Sequence, residues 1–241
     1  MKLCIYENPQ QVAKAAATLI SAQIIEKENC VLGLATGSTP IPTYQELIRL
    51  NKSGIIDFSK VITYNLDEYL NLPETHNQSY HFFMKEQLFN HINIDQRNTH
   101  VPNGNAKNEL EEAACYDKAI QEAGGIDIQL LGIGRNGHIG FNEPGSEFIR
   151  GCHVVELTPS TIEANRRFFE SENEVPRQAI TLGIGAIMNA KKVLLLATGK
   201  DKAQAIYDMV NGNITPSCQS SILRVHPNAV VMIDQEAASL L

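Results

Sequence analysis

The sequence predicts an α/β fold with a mostly parallel sheet, and three observations support this prediction. Short, continuous apolar runs such as residues 30–35 are typical of strands that are buried on both faces. Segments with the apolar spacing of helices alternate with these runs, which implies right-handed crossovers between parallel strands. The chain also has no repeat and no linker rich in Pro, Gly or Ser. We therefore expect a single domain over residues 1–241.

The predicted strands are short apolar runs bounded by turn-forming residues. The first strand-like run begins almost at Met1. The run 126–133 ends in glycines, which indicates a strand that leads into a tight loop. The other predicted strands cover residues 30–35, 61–66, 153–157, 179–184, 193–197 and 229–233.

The predicted helices lie between these strands. Residues 40–50 are predicted to be helical because Tyr44, Leu47 and Ile48 lie on one stripe and Pro40 suits a first helical turn. The other predicted helices cover residues 79–90, with Ser79 as the N-cap, 106–123, ended by Gly124 and Gly125, 159–169, and 201–210.

The composition excludes several classes of protein. A formal net charge of -7 argues against non-specific nucleic-acid binding, which needs a basic face. The N-terminus lacks the apolar region of a signal peptide, and runs such as 193–197 are too short to cross a bilayer. The five scattered cysteines lack the spacing of a zinc site. We therefore expect a cytoplasmic protein with reduced cysteines that holds no metal and binds neither membranes nor nucleic acids.

A candidate anion site lies at residues 35–40, ATGSTP, between a predicted strand and a predicted helix. Gly37 lets the backbone approach a ligand closely, and the helix N-terminus offers free N–H groups. The hydroxyls of Ser38 and Thr39 add further donors. The segment matches neither the Walker A loop nor GxGxxG. Taken alone, it is equally consistent with a tight turn and a hydroxyl cap.

A candidate base lies in residues 65–69, NLDEY, where a predicted strand ends. Asp67 and Glu68 are adjacent carboxylates. Side chains alternate along an extended chain, so at most one of the two points into a given site. The alternative is a turn or capping role for Asp67.

Residues 130–145, LLGIGRNGHIGFNEPG, combine acid–base groups with five glycines. His138 can give or take a proton near neutral pH, and Glu143 can orient its imidazole or share the proton. Asn136 can hydrogen-bond but cannot ionise. The alternative is a structural histidine, although the glycine-rich surroundings leave little core that could satisfy one.

Candidate cations are Arg166 and Arg167, together with Lys200 and Lys202 after the predicted strand 193–197. Arginine binds phosphate with a planar fork and lysine acts as a point charge, but each could equally be a solvated charge.

All four motifs fall at the carboxyl ends of predicted strands, where open α/β sheets bind their ligands. We therefore expect one pocket with an anion end and an acid–base end. The anion end would contain residues 36–39, Arg167 and Lys202, and the acid–base end Asp67, His138 and Glu143.

LATGSTP, NLDEY, GIGRNGHIGFNEPG, ANRRFF and TGKDKA, in this order, resemble the glucosamine-6-phosphate deaminase family over essentially the whole chain. The resemblance implies a single-domain, Rossmann-like three-layer sandwich that needs no metal or other cofactor. It implies the conversion of D-glucosamine 6-phosphate and water into D-fructose 6-phosphate and ammonia, a step of amino-sugar and N-acetylglucosamine degradation.

The resemblance also implies roles for individual residues. Asp67 would move a proton between C2 and C1 of the open-chain sugar. His138 would open the pyranose ring, with Asn136 and Glu143 orienting and assisting it. The implied phosphate ligands are Gly37, Ser38, Thr39, Arg167 and Lys202.

The chain departs from the family pattern at Asn136, where some members carry Asp. A neutral amide does not favour an imidazolium as a carboxylate does. We therefore expect His138 to be mostly neutral in the free enzyme at pH 7, with Glu143 as its only charged partner.

A second departure concerns regulation. Hexameric members activated by N-acetylglucosamine 6-phosphate carry a basic cluster after FNEP, where this chain has only Arg150 and His153 as cations. We expect a monomer without this activation. Residues 145–174 are expected to form a lid that closes on the phosphate.

Two alternatives stay open on the sequence alone. A 6-phosphogluconolactonase-like hydrolase resembles this family in its fold and its Gly-His region, but it lacks the FNEPG element. A sugar-phosphate sensor domain would keep the anion end, yet it would need a DNA-binding segment, and none fits before the first predicted strand.

Overall fold

The computed structural model describes residues 1–166, Phe169 and 174–241. Its strands are β1 (Lys2–Tyr6), β2 (Val31–Leu34), β3 (Ile62–Asn65), β4 (Asp67–Tyr69), β5 (Thr99–His100), β6 (Ile128–Leu131), β7 (His153–Glu156), β8 (Gln178–Thr181), β9 (Lys192–Ala197) and β10 (Ala229–Asp234). Seven of them form one sheet in the order β1-β10-β9-β6-β2-β3-β5, and every pairing in it is parallel. The prediction of an α/β fold with a mostly parallel sheet is confirmed.

Burial along the strands follows their position in this sheet. The central strands β2 and β6 are buried at every residue, because helices cover both faces of the sheet. The edge strand β1 is partly exposed along its whole length. The continuous apolar runs in the sequence therefore mark the middle of the sheet.

A second, three-stranded antiparallel sheet with the order β4-β8-β7 was not predicted. Leu66 alone separates β3 from β4, and it bonds to both sheets. Its N–H donates to the carbonyl of Leu34 at 3.1 Å, and its carbonyl accepts from the N–H of Leu182 at 2.7 Å. The small sheet therefore extends directly from the carboxyl edge of the large one.

The helices are α1 (Pro9–Glu26), α2 (Ile41–Lys52), α3 (Tyr80–Gln87), α4 (Glu109–Glu122), α5 (Pro159–Arg166), α6 (Ile184–Asn189) and α7 (Ala203–Asn211). Ser79 caps α3 as predicted, because its hydroxyl accepts from the N–H of Phe82. Helix α1, which starts with an Asn8 cap, was not predicted, and neither was the short α6. In the described ranges no helix combines the length and the apolar character needed to cross a membrane.

Several predicted boundaries shift when the caps are known. Helix α4 begins at Glu109 rather than at 106, because the side chain of Asn108 accepts from the N–H of Glu111 and forms the N-cap. The predicted helix 201–210 begins with a 3₁₀ turn, Lys200–Lys202, before α7. These changes move boundaries by a few residues and leave the order of elements unchanged.

Asp127 joins the amino ends of three neighbouring strands. Its buried carboxylate accepts from the N–H of Val31 and from the ammonium groups of Lys27 and Lys191, each at 2.7 Å. Burial raises the pKa of Asp127, but the bonds from the two lysines outweigh it and the pKa lies below its usual value. This cluster lies at the opposite edge of the sheet from the candidate site.

Candidate active site

Four loops meet at the carboxyl edge of the large sheet. They follow β2, β3, β6 and β9, and these strands are consecutive neighbours in the sheet. Between β2 and β6 the winding of the chain reverses, because β2 leads to β3 on one side and β6 leads towards β9 on the other. Open α/β sheets bind ligands in the crevice at such a switch point.

The anion loop, residues 35–40, connects β2 to α2. Gly37 has a φ of 94°, which a side chain would disfavour. Helix α2 has Pro40 at its N-cap and no side chain bonded to its first N–H groups. Ser38 is exposed and Thr39 is partly exposed beside this helix end. The loop therefore presents free N–H groups and hydroxyls where the helix dipole favours an anion.

Asp67 is the first residue of β4, and its side chain is 6% exposed. It pairs with Thr181 of β8 through the main chain. Burial, followed by the neighbouring charge of Glu68, raises the pKa of Asp67 to about 8. A carboxylate with a pKa close to the working pH suits a general base.

Glu68 points into different surroundings and performs a different task. Its Oε1 accepts from the N–H of Tyr80 at 2.9 Å, and its Oε2 accepts from the N–H of His81 at 3.0 Å. The ring Nδ1 of His81 lies 2.9 Å from the same Oε2. Glu68 therefore binds the first turn of α3, and of the two adjacent carboxylates it is Asp67 that remains available for chemistry.

Glu143 is the centre of the His138 cluster, which consists of Asn136, His138, Glu143 and Thr161. Its Oε2 lies 3.3 Å from Nδ1 of His138 and accepts from the amide of Asn136 at 2.8 Å. Its Oε1 accepts from the hydroxyl of Thr161 on α5. Burial raises the pKa of Glu143, but the hydrogen bond and charge of His138 and the bonds from Thr161 and Asn136 lower it to about 2.

Asn136 supports this group in a way that an aspartate could not. Its amide donates to the carboxylate of Glu143, while its Oδ1 accepts from the N–H of His138 at 3.2 Å. An aspartate here would have no donor and would repel Glu143. The described neighbours of the imidazole thus include one carboxylate and one neutral amide.

Glycines set the shape of the loop around His138. The imidazole packs directly on Gly134, where an added Cβ would lie about 2.4 Å from the ring atoms. Gly140, with a φ of 60°, lies against the base, because a Cβ there would be 3.5 Å from Oδ2 of Asp67 and 3.0 Å from Oγ1 of Thr181. The loop that carries His138 therefore contacts Asp67 through Gly140.

Two side chains attach this loop to the end of β8. The amide of Asn142 donates to the carbonyls of Ile139 and Leu182, at 2.9 and 2.8 Å. The hydroxyl of Thr181 accepts from the N–H of Phe141 at 3.1 Å. Because Thr181 also pairs with Asp67, one residue of β8 fixes the positions of both acid–base regions.

The sequence did not single out Tyr80, although it contacts three of the motifs. Its ring stacks on Phe141, with centroids 6.1 Å apart, and lies 4.8 Å from the ring of Tyr69. Its hydroxyl lies close enough to the side chains of Tyr69 and Thr36 for both to affect its pKa. Burial, followed by the charges of Tyr69 and Asp67, raises its pKa well above the usual value, so it stays a neutral phenol. In the sequence, Tyr80 could have been noticed only through its position directly after the predicted N-cap, Ser79.

The sequence also missed Thr161, whose hydroxyl bonds directly to Glu143. Thr161 is 7% exposed and lies in the first half of α5. A threonine in a helix with no unusual neighbours carries no chemical signature. Only the packing of α5 against the His138 loop reveals its contact.

The predicted cations are only partly described. Lys202 is partly buried at the end of the 3₁₀ turn after β9. Its loop is held by buried Asp234, whose two oxygens accept from the N–H of Gly199 at 3.1 and 3.0 Å. Arg135 Nε donates to Asp201 at 3.1 Å and so links this loop to the one that carries His138. Arg167 lies outside the described residues.

The remaining predictions for the site concern a lid and a metal. The proposed lid, residues 145–174, includes residues 167–168 and 170–173, which lie outside the described part of the chain, so the lid stays a prediction. Among the described residues no group of three or more His, Cys, Asp or Glu side chains could hold a metal ion.

Comparisons with known proteins show which sequences and folds this chain resembles. A family model described as glucosamine-6-phosphate isomerases/6-phosphogluconolactonase matches residues 7–236. A glucosamine-6-phosphate deaminase of Thermoanaerobacter pseudethanolicus is 54% identical over 241 residues, which are 100% of this chain and 95% of that protein. A solved monomeric glucosamine-6-phosphate deaminase matches with a TM-score of 0.97 and 44% identity, and 100% of both chains is covered. A 6-phosphogluconolactonase from Trypanosoma cruzi has a TM-score of 0.78 at 22% identity, covering 100% of this chain and 96% of the other, which is a likeness in fold alone.

Proposed function

Since the chain belongs to the family of glucosamine-6-phosphate isomerases and 6-phosphogluconolactonases, we propose that it is an enzyme of the deaminase branch. It converts D-glucosamine 6-phosphate and water into D-fructose 6-phosphate and ammonia. The observation that carries this proposal is a pair of separate acid–base stations that meet at Gly140. One is buried Asp67, and the other is His138 with Glu143.

Ring opening is the task of the second station. The pyranose opens when the proton of the C1 hydroxyl is removed and O5 receives a proton, as the C1–O5 bond breaks. The imidazole of His138 can perform both transfers, since an imidazole can accept a proton from one oxygen and donate it to another. Glu143 holds Nδ1 and leaves Nε2 for the sugar, and its low pKa keeps it ionised throughout.

Isomerisation is the task of Asp67. Its carboxylate removes the proton from C2 of the open-chain aldehyde, and the electron pair forms a C1–C2 double bond as the C1–O1 π bond opens. O1 takes up a proton that the ammonium group of the substrate gives up, which leaves an enolamine. Asp67 then returns its proton to C1, and the lone pair of the nitrogen forms the C2=N bond of a protonated imine. The ammonium group of the arriving sugar favours the ionised form of Asp67, whose pKa of about 8 would otherwise leave it largely protonated at pH 7.

Deamination follows by hydrolysis of the imine. Water adds to C2 of the imine and gives a carbinolamine. The C2–N bond then breaks, the nitrogen leaves as ammonia and C2 becomes the ketone of fructose 6-phosphate. Every atom of the substrates is accounted for by this sequence of steps.

The phosphate end supplies binding energy that orients the sugar. We propose that residues 37–39 and the free N–H groups at the start of α2 bind the phosphate, and that Lys202 and Arg167 add positive charge. The hydroxyl of Tyr80, which lies near Thr36, lies between this end and the base motif. We also propose that residues 145–174 act as a lid over the phosphate.

The lactonase alternative fits the geometry less well. Hydrolysis of a lactone needs a base that activates water beside a carbonyl carbon, and one such group suffices. It gives no role to a second buried carboxylate that lies against the histidine loop. The sensor alternative leaves both acid–base stations without a role.

An assay on two substrates tests the proposal. The protein is expected to release ammonia and fructose 6-phosphate from glucosamine 6-phosphate, and to show no comparable acid release from 6-phosphogluconolactone. Asp67→Asn should abolish ammonia release, while Asp57→Asn, at an exposed surface position, should retain it. Lactone hydrolysis as the main activity, or full activity of Asp67→Asn, would contradict the proposal.

We further propose that the enzyme is a monomer and is not activated by N-acetylglucosamine 6-phosphate. The similar solved deaminase is named as monomeric. The segment after FNEP offers Arg150 and His153 as its cations, and His153 bonds to the carbonyl of Gly151. Hyperbolic kinetics unchanged by N-acetylglucosamine 6-phosphate, with a monomer mass in solution, are the expected results. The phosphorylated substrate, a metabolite of the cell interior, supports a cytoplasmic location.

A further inference from the structure

A strap formed by residues 215–221 lies against the loop that carries His138 and Glu143. The strap is a closed turn, because the hydroxyl of Ser221 accepts from the N–H of Thr215 at 2.9 Å and donates to its carbonyl at 3.1 Å. Two main-chain bonds join it to the loop. The N–H of Ser220 donates to Gly137, at 2.9 Å, and that of Gly145 donates to Pro216, at 3.1 Å. The strap thus holds the loop just before His138 and just after Glu143.

Gln219 adds a side-chain contact to this junction. Its side chain is buried, with 2% exposure. Its amide nitrogen lies 3.2 Å from the carbonyl of Glu143, 3.1 Å from that of Glu147 and 3.0 Å from that of Pro216. A single –NH₂ group therefore joins the strap to the main chain of the residue whose carboxylate binds His138.

The position of Glu143 matters because its carboxylate is shared. It must stay within hydrogen-bond distance of His138, of Asn136 and of Thr161 at the same time. Catalytic groups need to be held to within about 0.5 Å by their supporting contacts. The two main-chain bonds of the strap do not involve side-chain groups. The contact of Gln219 with Glu143 does, so it depends on the amide of this side chain.

We propose that Gln219 is a positioning residue for ring opening, which holds Glu143 and through it His138. The proposal rests on the proposed deaminase function. It gives the strap a role in ring opening, although Gln219 lies 76 residues after Glu143 in the sequence. It gives the strap no role in the proton transfer by Asp67. The amide oxygen of Gln219 has no hydrogen-bond partner among the described residues, so the donor side of the amide carries the role.

The test variant is Gln219→Met, which keeps the length and bulk of the side chain and removes the amide donor. The matched control is Gln129→Met. Gln129 is also fully buried, its amide donates to the carbonyl of Leu130, and its oxygen is also unpartnered. Its side chain lies against Gly33 in the centre of the sheet. Both variants therefore lose a buried amide, but Gln219→Met also loses a contact with Glu143.

Two measurements separate positioning from general destabilisation. In Gln219→Met, kcat for glucosamine 6-phosphate should fall by about 10- to 100-fold, as expected for a misplaced catalytic group, while KM changes little. The ¹⁵N chemical shifts of the His138 ring should move towards those of a Glu143→Gln variant, because a displaced carboxylate weakens the contact between Glu143 and Nδ1 of His138. Gln129→Met should keep the wild-type kcat and the wild-type chemical shifts of His138.

The outcomes distinguish the two proposals. If the wild type releases no ammonia from glucosamine 6-phosphate, the proposed function fails. If the wild type is active and folded Gln219→Met keeps both kcat and the ¹⁵N chemical shifts of the His138 ring, the positioning role is wrong. If Gln219→Met does not fold, Gln219→Asn takes its place, since its shorter amide cannot span the same carbonyls. The same two readouts then decide.

Discussion

Replacing Asp67 with asparagine should make the stability of the protein less sensitive to alkaline pH. The pKa of Asp67 rises from its ordinary value of 3.8 to about 8, first through burial and then through the charge of Glu68. Because the folded pKa is the higher one, the folded protein holds the Asp67 proton more tightly than the unfolded chain. This contribution to stability is complete below pH 3.8 and is lost as the pH rises to about 8. Asparagine cannot ionise and shows no such loss.

The size of the effect follows from the same values. At about 1.4 kcal/mol per pH unit, a rise from 3.8 to about 8 corresponds to at most about 6 kcal/mol, of which about 4 kcal/mol falls between pH 5 and 8.5. Local relaxation and water reduce this, so about 1–4 kcal/mol is the expected gain of Asp67→Asn over the wild type across that interval.

Urea denaturation of both proteins at pH 5 and at pH 8.5 measures this difference. Effects of the substitution on packing do not depend on pH and cancel in the comparison. Asp57→Asn is the control, because the N–H of Ser59 and the amide of Asn93 lower the pKa of Asp57, so it is ionised throughout the interval. An unchanged difference between wild type and Asp67→Asn at the two pH values would refute the account of Asp67 as a carboxyl with a raised pKa.

Three further substitutions test other contacts. Thr161→Val removes the hydroxyl that bonds to Glu143 and should lower kcat about tenfold, the effect of one hydrogen bond to a charged group, in a steady-state ammonia assay. Tyr80→Phe keeps the stacked ring and removes the hydroxyl that lies near Thr36 of the anion end and near Tyr69, so kcat/KM should fall about tenfold with a change in Tm of only a few degrees. An unaltered kcat/KM would exclude a functional role for the hydroxyl. Asp127→Asn should cost about 1–2 kcal/mol at pH 7 in urea denaturation, since its two lysine partners are solvent-exposed. Because the pKa of Asp127 is lowered, this cost should shrink as the pH falls below 3.8, and a cost that grows in acid would contradict the ion-pair account.

Much of the fold could be predicted from local patterns. Strands β2, β6 and β9 are buried along nearly their whole length, so they appear in the sequence as continuous apolar runs. Strands β4 and β5 escaped prediction because they have only three and two residues, too few for a periodic pattern. The antiparallel sheet escaped it because strand pairing depends on contacts between distant segments, such as Asp67 with Thr181.

The candidate site was predicted to a similar extent. The sequence by itself determined which residues can carry acid–base chemistry, and it placed them after strands, because strand ends and glycines are local signals. Only the tertiary structure decided which carboxylate stays free. Glu68 accepts from three backbone N–H groups, those of Tyr69, Tyr80 and His81, and also contacts the ring of His81, whereas Asp67 is buried beside Gly140.

The supporting residues belong entirely to the tertiary structure. Thr161, Tyr80 and Gln219 are ordinary side chains whose importance comes from the groups that they contact. A sequence lists the chemical capacity of each residue, but burial and hydrogen-bond partners are properties of pairs that the chain brings together from far apart. For this protein the sequence therefore indicated which side chains are candidates for acid–base chemistry. The fold decided how they are held, which of them are ionised and how the His138 cluster lies relative to Asp67.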